Sequence, residues 1–363
     1  MLYAGLMSGT SLDGVDGVLA DLSQGVRCVA HRHRPFDPEL RAELLALNRP
    51  GGADELHRAA LAANGVALTY AAVLRGLCEA AGVAPSALRA VGAHGQTVRH
   101  RPEGRGYTLQ LLNAARLAEE GGVDVVADLR SRDVAAGGQG APLVPAFHAA
   151  VFARPGVDVA VLNLGGIANL TLLPAAGGPV RGFDTGPGNV LLDHWVQCHR
   201  GQPFDADGAW AAGGRVLPGL LRAMRAEPYF ALPPPKSTGR DLFGPDWLET
   251  RLPAGAAAQD VQATLLALTA ETVADALRRE QPATRVLRVC GGGARNGALM
   301  AALAARLPGV DLADTGVEGV APEQVEALAF AWLAQAFVER RPGNLPAVTG
   351  AAGPRVLGAL YPA

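Results

Sequence analysis

The sequence predicts an α/β protein built from two similar domains facing each other across a ligand cleft. Short apolar runs with strand character alternate with alanine- and leucine-rich helical runs along the chain. A glycine-rich hairpin opens the chain at 5–17, and strand, glycine turn and strand recur at 158–173, the pattern expected of two copies of one fold. At 363 residues with 49% hydrophobic content, the chain is long and apolar enough for two cores.

Residues 2–7 and 15–22 are short and apolar enough to be the strands of the opening hairpin. The stretch from Gly9 through Thr10, Ser11, Leu12, Asp13, Gly14 and Val15 to Asp16 combines glycines, hydroxyls and carboxylates. Glycine lets backbone N–H groups turn toward an anion, Ser8, Thr10 and Ser11 add hydroxyl donors, and Asp13 or Asp16 can hold magnesium through water. A plain surface turn of the same composition is the competing reading.

The first domain continues through helical segments at 38–47 and 54–81 to strands at 88–93 and 123–129. His94 and His100 follow the first of these strands, but their separation is not one helical turn, which disfavours a metal pair. Hydrogen bonding to a substrate suits His94 and Gln96 better. Segment 128–133 ends the second strand; its Arg130 and Arg132 either grip a ligand carboxylate or belong to a surface ion-pair cluster.

The second hairpin carries Asn163, Gly165, Gly166 and Asn169, with asparagines in place of most hydroxyls. Asp184 follows at a strand-to-helix turn before a helical run at 190–196, either as a reactive carboxylate at the rim of the sheet or as a helix cap. A strand at 284–289 leads into Cys290, Gly291, Gly292 and Gly293 ahead of a helix, a turn that suits a flat or anionic ligand and also ordinary packing. In the helix expected at 322–339, Glu326 shares its side with Phe330, Leu333 and Phe337 and should point inward. A carboxylate so buried would serve chemistry or pair with a buried arginine. The domains are expected at 1–132 and 133–341, with the tail 342–363 packing back on the first.

A net charge of −2 with 18% charged residues offers no basic face for nucleic acid. Four dispersed cysteines form no CxxC pair and no disulfide framework. The N-terminus lacks a basic region ahead of an apolar one, and the alanine-rich helices carry charged or polar residues, so export and membrane spanning are not expected and the cytoplasm is. Lys236 is the only lysine, and it follows Pro233, Pro234 and Pro235 rather than a strand and glycine loop. A Walker-type phosphate loop is therefore excluded.

Taken together, MSGTSLDGVD at 7–16, the segments 94–97, 128–132 and 163–169, FDTGPGN at 183–189, PPKSTGR at 234–240 and the turn 290–296 closely resemble the anhydro-N-acetylmuramic acid kinase family over nearly the whole chain. The resemblance implies two RNase H-like domains of the sugar kinase, actin and heat-shock chaperone superfamily, closing on ATP with magnesium. It implies that residues 9–16 with Gly165, Gly166, Asn169 and Gly291–Gly293 hold ATP, and that Asp13 contacts the metal through water. Asp184 would be the base that activates water at the anomeric carbon, and Glu326 would orient that water. His94, Gln96, Arg130 and Thr185 would contact the sugar, Arg130 through its lactyl carboxylate. The implied reaction opens a 1,6-anhydro ring and phosphorylates the 6-oxygen in peptidoglycan recycling, in a cytoplasmic homodimer. A nucleotide-gated binding module of the same superfamily is the alternative; it would need a peptide-binding domain, for which little chain remains after Pro342.

Overall fold

A computed structural model describes residues 1–363. The chain forms two compact units, one of Met1–Val151 with Gln324–Ala363 and one of Phe152–Glu323. In unit 1, β1 (Leu2–Met7), β2 (Gly14–Asp21) and β3 (Arg27–Pro35) form an antiparallel meander. β4 (Leu88–Ala93) then pairs in parallel with β1, while β5 (Gln96–Arg101) and β6 (Tyr107–Leu111) form a separate ribbon. β7 (Val125–Ala127) joins β4 in parallel, and the C-terminal strand Ala359–Tyr361 closes that edge against β7.

Unit 2 repeats this topology. β8 (Val159–Leu164), β9 (Ile167–Leu173) and β10 (Arg181–Pro187) form the meander, and β11 (Val286–Cys290) and β12 (Asp311–Asp314) add in parallel beside β8. Each main sheet therefore runs third, second, first, fourth, fifth, the RNase H-like arrangement, and the glycine hairpins occupy the same place in both. Each unit is thus one RNase H-like module of an actin-like ATPase fold.

Helix spacing explains the packing of unit 1. Val66, Tyr70, Leu74 and Leu77 lie on one side of the helix Glu55–Ala81 and are fully buried, covering β2 and β3. By length and composition this helix meets the requirement for a membrane span, contrary to the expectation from sequence, yet more than half of its most apolar stretch is buried within the unit. Its length and alanine content serve packing against a sheet.

The helix Val325–Val338 lies on the other face, against β1, β4 and β2. It belongs to unit 1, so the boundaries fall at 151/152 and 323/324 rather than at 132/133 and 341/342. Two glycines make the approach close: a Cβ on Gly5 would lie 1.9 Å from the Ala327 carbonyl oxygen, and one on Gly92 would lie 1.9 Å from that of Phe330. Only a bare backbone in β1 and β4 admits the helix at this distance.

In unit 2 the helix Ala258–Glu280 buries Val261, Leu265, Leu268, Val273 and Leu277 beneath the sheet. The helix after β11 starts at Gly297, not directly behind the three glycines. A short 3₁₀ turn, Gly292–Arg295, intervenes, and Asn296 caps the helix by accepting from the Leu299 N–H at 2.9 Å.

Candidate active site

In unit 1 the loop between β1 and β2 is held from behind. Ser8 is buried, and its hydroxyl lies 3.0 Å from the Gly95 carbonyl and 2.9 Å from the Tyr70 hydroxyl. The Ser8 carbonyl faces His94 Nδ1 at 3.2 Å, the Gly9 carbonyl accepts from Gln96 Nε2 at 3.0 Å, and the Leu12 carbonyl accepts from Arg41 Nε at 2.9 Å. Leu12 takes a left-handed φ of 56° and buries its side chain, anchoring the turn in the core. The loop's acceptors are thus engaged inward, while Thr10, Ser11 and Asp13 are exposed. Ser11 Oγ donates to Asp13 Oδ1 at 2.8 Å. This leaves an outer face of short hydroxyl side chains, backbone and one carboxylate.

Gly14 and Val15 are buried in β2, where Gly14 pairs with Pro35, so they support the loop as strand residues. Asp16 is turned to β3, where its Oδ1 lies 3.1 Å from His33 Nδ1 and 3.4 Å from His31 Nε2. It stands opposite both Met7 and His33 in the sheet, so strand pairing sets its direction.

Behind the loop lies a second polar group. Arg130 Nε donates to His94 Nε2 at 3.0 Å, and its NH1 donates to the Gly140 carbonyl at 2.8 Å. His94 packs against Phe330 in a tilted arrangement with ring centroids 4.8 Å apart. Both imidazole nitrogens are therefore engaged within unit 1, and His94 aims Arg130 and braces Ser8. Burial, reinforced by the Arg130 charge, pushes the His94 imidazole down to about 3, so it is neutral at any physiological pH. Burial likewise lowers Arg130 to about 10, opposed by Glu326 and Asp133, which leaves the guanidinium charged. Gln96 is fully buried with Oε1 unpartnered beside the loop that its amide nitrogen supports.

Glu326 does not point into the core. It is exposed in the first turn of the helix Val325–Val338. The expectation of burial failed because this helix is apolar on almost every side, with Val325, Ala327, Leu328, Ala329, Phe330 and Ala331 all buried, so sharing a side with Phe330 does not distinguish core from end. The spacing does carry information: Phe330 rests on His94, and the Glu326 charge acts on Arg130.

In unit 2 Asp184 lies in β10, an edge strand, just before a bulge between Asp184 and Gly186. Asp184, Asn169 and Asn163 stand directly opposite one another on β10, β9 and β8, forming a polar row on one face. Segment 236–238 covers the free edge: the Asp184 N–H donates to the Lys236 carbonyl at 3.1 Å, and the Thr238 N–H donates to Asp184 Oδ2 at 3.0 Å. Tyr229 Oη donates to the Asp184 carbonyl at 2.8 Å. Burial raises the Asp184 carboxyl to about 6, while the Thr238 hydrogen bond and the Lys236 charge oppose that rise. Such a group is mostly ionised at neutral pH and basic enough to accept a proton, the poise required of a general base.

The neighbouring turns are tightly built. The Gly165 carbonyl accepts from the Asn189 N–H at 2.9 Å, and the Gly166 carbonyl accepts from Gly188 and Val190, docking the helix Val190–Arg200 on the hairpin. Gly291 has φ 80°, and a Cβ there would lie 2.4 Å from Asn163 Oδ1 and 2.9 Å from the Leu164 carbonyl oxygen. Gly293 stands equally close to Leu164, whereas Gly292 faces open space. Thr185 is buried with its hydroxyl donating to the Ala168 carbonyl at 3.1 Å, so its polar group is engaged in the sheet.

These features coincide with the comparisons to known proteins. All of the chain, residues 1–363, matches the sequence model of anhydro-N-acetylmuramic acid kinase. The chain belongs to the anhydro-N-acetylmuramic acid kinase family. It is 60% identical over 372 residues to the anhydro-N-acetylmuramic acid kinase of Variovorax paradoxus (strain S110), covering 100% of this chain and 99% of that one. It is 62% identical over 369 residues to the Bordetella petrii protein of the same name, covering 100% and 96%. Among solved structures, component A of the (R)-2-hydroxyglutaryl-CoA dehydratase of Acidaminococcus fermentans aligns with a TM-score of 0.50 at 14% identity, over 91% of this chain and 96% of that one. That likeness is one of fold.

Sequence reasoning named the loop, Asp184 and Arg130 as candidates, and it left the role of the PPKSTGR segment open. Lys236 and Thr238 bind Asp184 across 52 and 54 positions of chain, contacts that no local pattern encodes. The available signals were the lone lysine and the PPKSTGR motif shared with the family.

Proposed function

We propose that the protein is an ATP-dependent sugar kinase that hydrolytically opens 1,6-anhydro-N-acetylmuramic acid and phosphorylates its 6-oxygen, giving N-acetylmuramate 6-phosphate and ADP. The observation that carries the chemistry is Asp184, a carboxyl raised to about 6 on a strand edge, its Oδ2 held by the Thr238 N–H and its main chain by the Lys236 carbonyl. It takes a proton from water as the water oxygen bonds to the anomeric carbon. The bond from that carbon to the 6-oxygen breaks, and the freed oxygen receives the γ-phosphoryl group. Glu326 is assigned to orienting the water, and Arg130, with one guanidinium nitrogen outside its two protein hydrogen bonds, to the lactyl carboxylate. A base of this kind contributes roughly 10²–10⁴-fold in rate.

The loop at 8–13, with its outer face of Thr10, Ser11 and Asp13, is assigned to the ATP phosphates, as are the hairpin of Gly165 and Gly166 and the turn of Gly291–Gly293. Magnesium fits Asp13, since this ion is commonly bound by one or two carboxylates together with substrate phosphates; when bound, it neutralises phosphate charge. Family membership supports a cytoplasmic homodimer acting in cell-wall recycling.

The test is mass spectrometry of the products formed from anhydro-N-acetylmuramate, ATP and magnesium in ¹⁸O-labelled water. The expected product carries label at the anomeric oxygen and phosphate at the 6-oxygen. Unlabelled sugar phosphate would overturn the coupled mechanism, and ATP turnover indifferent to the sugar would favour a nucleotide-gated module instead.

A further inference from the structure

We propose that Lys236 is a positioning residue for Asp184: its carbonyl fixes the aspartate's main chain at the strand edge, and its ammonium, seated on the ring of the tyrosine that bonds the same aspartate, places a positive charge beside the site. Resting on the assignment of Asp184 as base, this gives the PPKSTGR segment a function in the reaction.

The connections form a closed ring. Asp184 donates its N–H to the Lys236 carbonyl at 3.1 Å and accepts from the Thr238 N–H at 3.0 Å, so residues 236–238 run along the edge of β10 and grip the aspartate from two sides. Tyr229 Oη donates to the Asp184 carbonyl at 2.8 Å. The Lys236 ammonium returns to the same tyrosine, 4.5 Å from its ring centroid and 3.1 Å from its carbonyl oxygen, with the Phe230 carbonyl at 3.4 Å. Two neutral carbonyls and a ring face hold this cation, so no carboxylate is bonded to it and its charge remains available to Asp184.

Residue choice agrees with this geometry. The chain has 32 lysine and arginine residues, and Lys236 is its only lysine. A compact ammonium on a flexible stem fits over the tyrosine ring and beneath two carbonyls, whereas a planar guanidinium would need a wider fork of acceptors. The surrounding charges are Arg279, which donates to the Phe230 carbonyl at 3.2 Å, and Glu280, bonded to Arg181 and Arg279. Burial lowers the Lys236 ammonium below its ordinary value and Arg279 adds to the fall, while Glu280 and Asp184 oppose it. Tyr229 is the other titratable group on the aspartate; burial and Asp184 keep its hydroxyl protonated. Arg240 of the same segment acts on Asp193 instead.

The test is an NMR titration of the Asp184 side-chain carboxyl in ¹³C-labelled full-length protein, compared with Lys236→Met, together with pH profiles of kcat/KM. Loss of the ammonium should move the Asp184 midpoint up by roughly one pH unit. The acid limb of kcat/KM should move with it, costing about 5-fold at pH 6 from ionisation alone. Lys236→Arg keeps the charge but not the fit: its midpoint should stay near the wild-type value while kcat falls. An unchanged midpoint in Lys236→Met would overturn the proposal. Should Lys236→Met not fold, Lys236→Gln carries the test; an unchanged acid limb in it would overturn the proposal equally. The two assignments fail separately: near-normal turnover by Asp184→Asn would refute the base, whereas the midpoint measures the lysine's effect whether or not Asp184 is the base.

Discussion

The Nε–H of Arg130 donates to the Nε2 of His94 at 3.0 Å, so a neutral imidazole rather than a carboxylate aims this guanidinium. The difference matters for binding. A carboxylate in that place would neutralise the charge, whereas a neutral acceptor fixes its direction and leaves it able to receive an anion. The same ring reaches the Ser8 carbonyl through Nδ1 at 3.2 Å, connecting the loop between β1 and β2 to the arginine.

Arg130→Met should therefore raise KM for the anhydro-sugar by roughly 10–100-fold, the effect of losing a hydrogen bond to a charged group, with a much smaller change in KM for ATP. Steady-state kinetics with each substrate varied in turn checks this. An effect confined to ATP would move Arg130 to the nucleotide.

Two buried imidazoles should destabilise the protein as pH falls below their ordinary value, against a smaller opposing gain from protonation of Asp184 in the same window. The His94 value falls from an ordinary 6.5 to about 3 on folding, and His148 is lowered by burial to the same level. An imidazole lowered in this way contributes stability that is present above pH 6.5 and lost as pH falls toward 3. Each should add up to about 1.4 kcal/mol per pH unit in that window. Urea unfolding between pH 7 and pH 5 should show the decline, and His94→Phe should reduce its slope.

Asp184→Asn should abolish turnover and stabilise the fold. The Asp184 carboxyl is raised from 3.8 to about 6, so ionisation is disfavoured in the folded state and stability falls as pH rises through that interval. Removing the charge should return on the order of 1–3 kcal/mol at pH 7. Thermal unfolding at pH 4 and pH 7 separates the effect, because the gain should appear only at the higher pH. A site whose charge serves chemistry at the expense of stability behaves in this way.

Gly291→Ala should destabilise by about 1–3 kcal/mol, since the position combines φ 80° with an approach of 2.4 Å between its would-be Cβ and Asn163 Oδ1. Gly292→Ala, which would meet nothing within 4 Å, should leave stability within about 1 kcal/mol. If the turn serves ATP, the second substitution should still weaken nucleotide binding, measurable by calorimetry.

Much of the fold was legible because local rules governed it. The segment 38–47 and the strand 88–93 fall where apolar spacing puts them, as Pro38–Leu47 and Leu88–Ala93. The paired glycine hairpins identified the repeat, since a tight turn between buried strands depends on neighbouring residues alone. The helix Val325–Val338 escaped this logic. Its membership of unit 1 depends on Gly5 and Gly92 accepting it, over 230 residues away, and these glycines have no local reason to be there.

The sequence by itself determined the α/β class, the duplicated hairpins, the absence of a Walker lysine and the prominence of Asp184, all properties of short windows. Only the tertiary structure decided that His94 spends both nitrogens on its own unit, that Thr185 is engaged in the sheet, that Glu326 is exposed and that Lys236 grips Asp184. The physical reason is the same in each case: a side chain's partner and its access to water are set by segments far away in the chain, and periodicity does not register them.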